Sequence, residues 1–152
     1  MPTIKRFEDL RAWQSARELV RMVYEDSERR EFGRDFGLKD QIRRAAVSVM
    51  SNIAKRFNAG TDAEFVRFLG FARRSNSEFQ SQAYTAMDLS YISSERFQSL
   101  YDKANLIERQ INALIAYLAK SRHKVKEATA GYNLSDVIDP SGASYLPDLP
   151  DL

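Results

Sequence analysis

The chain has 152 residues, no cysteine and a formal net charge of +2. That length fits one domain able to bury about two thirds of its unfolded surface, and without cysteine there is no disulfide, thiolate metal site or cysteine nucleophile. The opening MPTIKRFEDLRAW lacks the apolar stretch of a signal peptide and no run approaches the ~18 apolar residues of a membrane span, so a cytoplasmic protein is expected.

Four segments carry helical periodicity. In the first, Leu10, Trp13, Ala16, Val20, Val23 and Tyr24 recur at threes and fours, which puts Trp13 in the core. Gly33 and Gly37 flank the start of the second, whose stripe is Leu38, Ile42, Ala45, Val49, Ile53 and Phe57. Asn58-Ala59-Gly60 ends it, since Asn and Gly tolerate the left-handed backbone of a helix C-terminus. Thr61-Asp62-Ala63-Glu64 then reads as a capping box, in which two side chains satisfy free amides at a helix start.

The third segment carries Phe65, Phe68, Leu69, Ala72, Phe79, Ala83 and Ala86. Asn76 falls on the same side and needs a hydrogen-bond partner there; Gln80 or a side chain of the second helix would provide it. Ser93 or Ser94 caps the fourth segment, with Phe97, Leu100, Ala104, Ile107, Ile111, Leu114, Ile115 and Leu118 as its stripe. No stretch alternates with period two. Short connections force neighbours antiparallel, so the fold expected for residues 1–126 is all-α, an up-down-up-down four-helix bundle.

Residues 127–152 form a non-helical C-terminal tail with three of the four prolines. All 23 Lys and Arg precede it, whereas it holds Glu127, Asp136, Asp139, Asp148 and Asp151. The bundle therefore carries +7 and the tail −5, a balance that points the body toward anionic partners. Tyr145, Leu146 and Leu149 are the expected anchors by which the tail docks on a bundle.

No catalytic constellation is visible. The sole histidine, His123, sits in a basic run without partners for metal or triad chemistry. There is no glycine-rich phosphate loop and no Glu-x-x-His pair. The chain reads as a non-enzyme with no metal and no cofactor. Arg43, Arg44, Lys55, Arg56, Arg67, Arg73 and Arg74 cluster on the second and third helices. They form either a phosphate-contacting surface or a solvated face paired with Asp62, Glu64 and Glu78. Val47, Met50 and Ala54 lie off the second helix's core stripe, and Leu106, Ala113 and Tyr117 off that of the fourth. A helix apolar on two sides is usually buried on two sides, which points to an oligomer interface; the plainer reading is scattered surface hydrophobes.

The string QIRRAAVSVMSNIAKRF at 41–57 resembles the second-helix signature of the bacterial four-helix bundle proteins encoded in 23S rRNA intervening sequences. FEDLRAWQSARELV at 7–20, EFVRFLGFARRSNSE at 64–78 and MDLSYISSERFQSL at 87–100 follow in the order of that family. The chain departs from the pattern at Met50, where proline is usual, at Lys55-Arg56, where Glu-Gly is usual, and at Arg74, where glycine is usual. The resemblance implies a ring-forming homo-oligomer, often a pentamer, without established catalysis. A distant relative that assists a retroelement reverse transcriptase through basic surfaces implies RNA or DNA as partner. Two functions therefore stand side by side: a nucleic-acid-associated module binding RNA or single-stranded DNA, and a protein-interaction scaffold.

Overall fold

The computed structural model describes residues 4–55, 58–123 and 137, with side chains through residue 120 and at Val137. A single 3-10 turn, Phe7–Asp9, leads into α1 (Arg11–Ser27). A short α2 (Arg30–Arg34) precedes α3 (Phe36–Ala54), and α4 (Asp62–Asp88) and α5 (Ser94–His123) complete the order. The four long helices each pack on two neighbours: α1 on α3 and α5, and α4 on α3 and α5. The architecture is the antiparallel four-helix bundle that the periodicity predicts.

The caps act where the side chains dictate. Thr61 Oγ1 accepts from the Glu64 amide at 3.1 Å, and the Glu64 carboxylate accepts in return from the Gly60 amide at 2.8 Å. The reciprocal bond thus lands one residue earlier than an ideal capping box. Ser93, rather than Ser94, caps α5 by accepting from the Arg96 amide at 3.0 Å.

The helix α2 has no counterpart in the sequence expectation. It is one turn long, too short for periodicity to register, and exists because Phe32 is buried and stacks on Tyr91 with centroids 5.4 Å apart. Gly33 permits it: a Cβ there would stand 2.7 Å from the Glu28 carbonyl oxygen. Asp35 then caps α3 by accepting from the Leu38 amide at 3.1 Å, while its other oxygen accepts from the Tyr91 hydroxyl at 3.0 Å. That bond holds the Tyr91 phenol above its ordinary pKa. Beside it, the buried Asp26 at the end of α1 accepts from Arg96 Nε at 2.6 Å. One end of the bundle is therefore latched by side-chain bonds between distant connections.

The core runs the length of the bundle through Leu19, Ile42, Ile53, Phe65, Phe79, Leu100, Ile107 and Leu114. Trp13 joins it with its ring edge-on to Phe7 at 5.1 Å. Asn76 is buried and donates to the Ala104 carbonyl at 2.8 Å, so its partner is the backbone of α5 rather than Gln80 or α3. Ala113, expected at an oligomer interface, is 2% exposed inside the monomer's own core. An alanine off the main stripe marks close approach of helices, and the apolar arc of α5 is wider than one stripe because it faces both α1 and α4.

The chain returns to the bundle after α5. Val137 is 3% exposed in the core, and its carbonyl accepts from the Arg11 amide at 3.0 Å. The anchors expected further on, Tyr145, Leu146 and Leu149, lie outside the described residues.

Candidate nucleic-acid interface

The outer surface of α3 and α4 is built in antiparallel register. Ser48 and Ser75 share a hydroxyl hydrogen bond of 2.8 Å across the seam. Seven residues further along α3, Lys55 sets its ammonium 5.0 Å from the centre of the Phe68 ring, seven residues earlier on α4. The two contacts define a line along which α3 and its C-cap residue offer Arg44 and Lys55, with Asn52 buried behind them, and α4 offers Phe68 and its neighbours.

On the solvent side of that line α4 presents Arg67, Phe71 and Arg74, at spacings of four and three, hence on one helix face. The Arg67 guanidinium lies 5.5 Å and that of Arg74 5.6 Å from the Phe71 ring centre. Phe68 meets Phe71 edge-on at 6.2 Å. Among the described residues neither Arg67 nor Arg74 has a carboxylate partner. The acidic residues expected to neutralise them are engaged elsewhere: Glu64 on the Gly60 amide and Glu78 with Gln82. Asp62 also has an interaction of its own. The result is two aromatic rings interleaved with three cations on an open face.

The other predicted basic residues divide. Arg44 is exposed and pairs with Asp40 one turn away at 2.9 Å, a solvated contact that competes little with an incoming phosphate. Arg73 reaches Glu108 of α5 at 4.0 Å, with both side chains substantially exposed. Arg56 lies outside the described residues.

Arg43 does not belong to the surface. Its side chain is 18% exposed and turns toward the end of α1, where Nε donates to the hydroxyl of buried Ser27 at 2.7 Å. One terminal nitrogen donates to Glu28 at 2.6 Å, and the guanidinium lies 4.2 Å from the Tyr24 ring centre. This residue ties α3 to α1. Sequence puts it beside Arg44 but is silent about the neighbouring helix that claims it.

Of the residues expected at an oligomer interface, Val47 is 37% exposed on α3. Met50, Ala54 and Tyr117 are half-buried against the core. Leu106 lines a cleft of about 730 Å³ between α1 and α5, walled by charges of both signs, among them Glu18, Arg21, Arg96 and Lys103. The sequence expectation places Phe68 on the core stripe and does not single out Phe71, which the structure sets between Arg67 and Arg74. The signal was present in the spacing Arg67-Phe68-x-x-Phe71-x-x-Arg74, where aromatic and basic residues share one face.

Among the described residues there is no group of three His, Cys, Asp or Glu placed to hold a metal ion, and no helix is long and apolar enough to cross a membrane.

The model of the 23S rRNA-intervening sequence protein family matches residues 8–113. The fold is similar to the crystal structure of a protein of unknown function from the S23 ribosomal protein family of Bacteroides thetaiotaomicron, with a TM-score of 0.62 at 22% identity. That match covers 68% of this chain and 97% of the other. Among curated proteins, none matches the chain significantly.

Proposed function

Because the chain belongs to the 23S rRNA-intervening sequence protein family, we propose that it is a non-catalytic, oligomeric module that binds RNA through the open face of α3 and α4. The observation that carries this reading is the disposition of Arg67 and Arg74 about Phe71, neither paired with a carboxylate among the described residues, beside Lys55 on Phe68. Guanidinium groups match phosphate oxygens in geometry and charge, and partly exposed rings give bases a surface to stack on. With Arg44 and Arg73 the face offers five cations, enough for affinity but with no reader of base edges.

The oligomer part of the reading rests on Val47, Met50 and Ala54 of α3 with Leu106 and Tyr117 of α5, and a pentameric ring is the arrangement proposed. Light scattering at micromolar concentration should give several times 17.5 kDa. Val47→Glu should split the assembly and leave helical circular dichroism intact, because it places an unpaired charge in the contact only.

Binding is tested by salt titration on a structured rRNA fragment and a duplex DNA control. Five neutralised phosphates on a single strand imply about a hundredfold loss of affinity between 50 and 200 mM salt. Reversing Arg67 and Arg74 together to Glu should remove binding without unfolding the bundle. If neither nucleic acid binds the wild type at 50 mM salt, the reading fails. The scaffold reading then gains, and the mixed-sign cleft between α1 and α5 favours it, since alternating charges suit a protein partner better than a phosphate chain.

A further inference from the structure

Gly70 stands in the middle of α4, where glycine is the poorest helix former after proline. The described residues give no internal reason for its presence: a Cβ built there would meet none of them within 4 Å. No neighbouring helix needs the space, and the residue lies in continuous helix rather than in a turn. What the missing side chain leaves is a surface notch, part of an open cleft of about 370 Å³ lined by Gly70, Arg73, Arg74, Ser77 and Glu108. That volume is at the lower end of small-molecule sites.

The chemistry of the notch is anion-binding along one wall. Arg73 and Arg74 point cations at it, and the Ser77 hydroxyl has no partner among the described residues. The opposite wall carries Glu108, whose charge is offset among the described residues only by the 4.0 Å contact to Arg73. Arg74 belongs to two features at once, since its guanidinium also lies against the Phe71 ring. Notch and ring are therefore adjacent parts of one surface.

We infer that the Gly70 notch seats one unpaired nucleotide, with its phosphate against Arg73, Arg74 and Ser77 and its base on Phe71. The inference rests on the nucleic-acid reading above and narrows its ligand to single strands. A base within a duplex has both faces stacked and cannot reach the ring, whereas a base in a loop or single strand can. The Arg74 guanidinium leaves the ring as it takes the phosphate of that nucleotide, and Arg67 leaves it for the phosphate of a neighbouring one. An exposed cation–π contact is the weaker bond and a charge-assisted contact to phosphate the stronger. The bare backbone at Gly70 lets the sugar-phosphate chain lie close to the helix, as glycine does wherever a ligand approaches backbone.

Fluorescence anisotropy with a labelled ten-nucleotide RNA, single-stranded or annealed to its complement, tests this. Gly70→Leu fills the notch with a good helix former, so the variant should melt at or above the wild-type temperature and keep its assembly mass. Its affinity for the single strand should fall about tenfold or more, in the range of one lost stacking contact, with little change for the duplex. Phe71→Leu should likewise abolish the single-strand preference, and Glu108→Gln should tighten binding a few-fold by removing a like charge. If wild type binds and Gly70→Leu binds the single strand equally well, the notch is not the nucleotide site, although the basic face remains the RNA surface. If Gly70→Leu alters the assembly mass, the notch receives another subunit and the inference is overturned. If wild type binds neither probe, both readings fall together.

Discussion

Replacing Asn76 with leucine should stabilise the protein, although it removes a buried hydrogen bond. The side chain is 1% exposed on the core face of α4, between Ala72 and Phe79. Its amide nitrogen donates to the Ala104 carbonyl at 2.8 Å, and its amide oxygen has no partner among the described residues. This assignment does not depend on which way the amide is drawn, because only the NH2 group can donate to a carbonyl. A net hydrogen bond contributes about 1 kcal/mol, while an unpaired buried acceptor costs about 1–3 kcal/mol. Leucine gives up the first, relieves the second, and adds roughly 1–2 kcal/mol of apolar burial. Repacking a branched chain opposes this by about 1–2 kcal/mol. The balance is a gain of about 1 kcal/mol, or an upward shift of about 0.5 M in a urea midpoint if the slope is about 2 kcal/mol/M. Asn76→Asp, of the same shape, should instead cost about 3 kcal/mol or more, because it turns an acceptor or a charge toward a carbonyl in the core. Urea unfolding followed at 222 nm and fixed protein concentration measures both. A loss above about 1 kcal/mol for Asn76→Leu would mean that the amide oxygen is satisfied, and the reasoning would be refuted.

Arg43→Ala should destabilise the bundle without weakening RNA binding. The bond to buried Ser27 and the stacking on Tyr24 together contribute about 1.5 kcal/mol, so the melting temperature should fall by about 3–6 °C while anisotropy titrations match wild type. The same substitution changes the pH profile. The Glu28 carboxyl is held below its ordinary value first by the hydrogen bond from Arg43 and then by that from Lys39. A depressed carboxyl contributes stability above its unfolded pKa and loses it as pH falls through the folded value, so the gap between wild type and variant should narrow in acid thermal melts. Val137→Asp should cost about 3 kcal/mol or more in urea unfolding, because it sets an unpaired charge in the core beside the start of α1; an unchanged midpoint would mean that the returning chain adds nothing to the fold.

The long helices were legible because their apolar residues repeat at threes and fours over many turns, and their caps because Thr61, Glu64 and Ser93 act on amides a few residues away. What escaped is tertiary. The buried face of Phe32 is defined by Tyr91, far along the chain, and one helical turn gives no period to read. Arg43 and Arg44 are adjacent and chemically alike, yet one is claimed by the end of α1 and the other is not. Ala113 lies off the main stripe of a helix that packs on two neighbours, so one stripe does not contain its whole buried arc. Val137 sits in a segment whose composition resembles a loop, and its burial against the start of α1 is a tertiary fact that composition does not carry. The basic face was legible as charge, but its aromatic half was not, since phenylalanine at helical spacing reads first as core.

The latches at the closed end bear on how the chain folds as it is made. The Asp35–Tyr91 bond joins residues 56 apart and the Asp26–Arg96 bond residues 70 apart. When α1, α2 and α3 have left the ribosome, Asp35 can already cap α3, but its second oxygen and the carboxylate of Asp26 still lack their partners. The flank of α1 that α5 covers is likewise open. A helical hairpin of the first half therefore remains hydrated and reversible, and settles only after the start of α5 has emerged. Folding thus becomes decisive only when Tyr91 and Arg96 reach the hairpin.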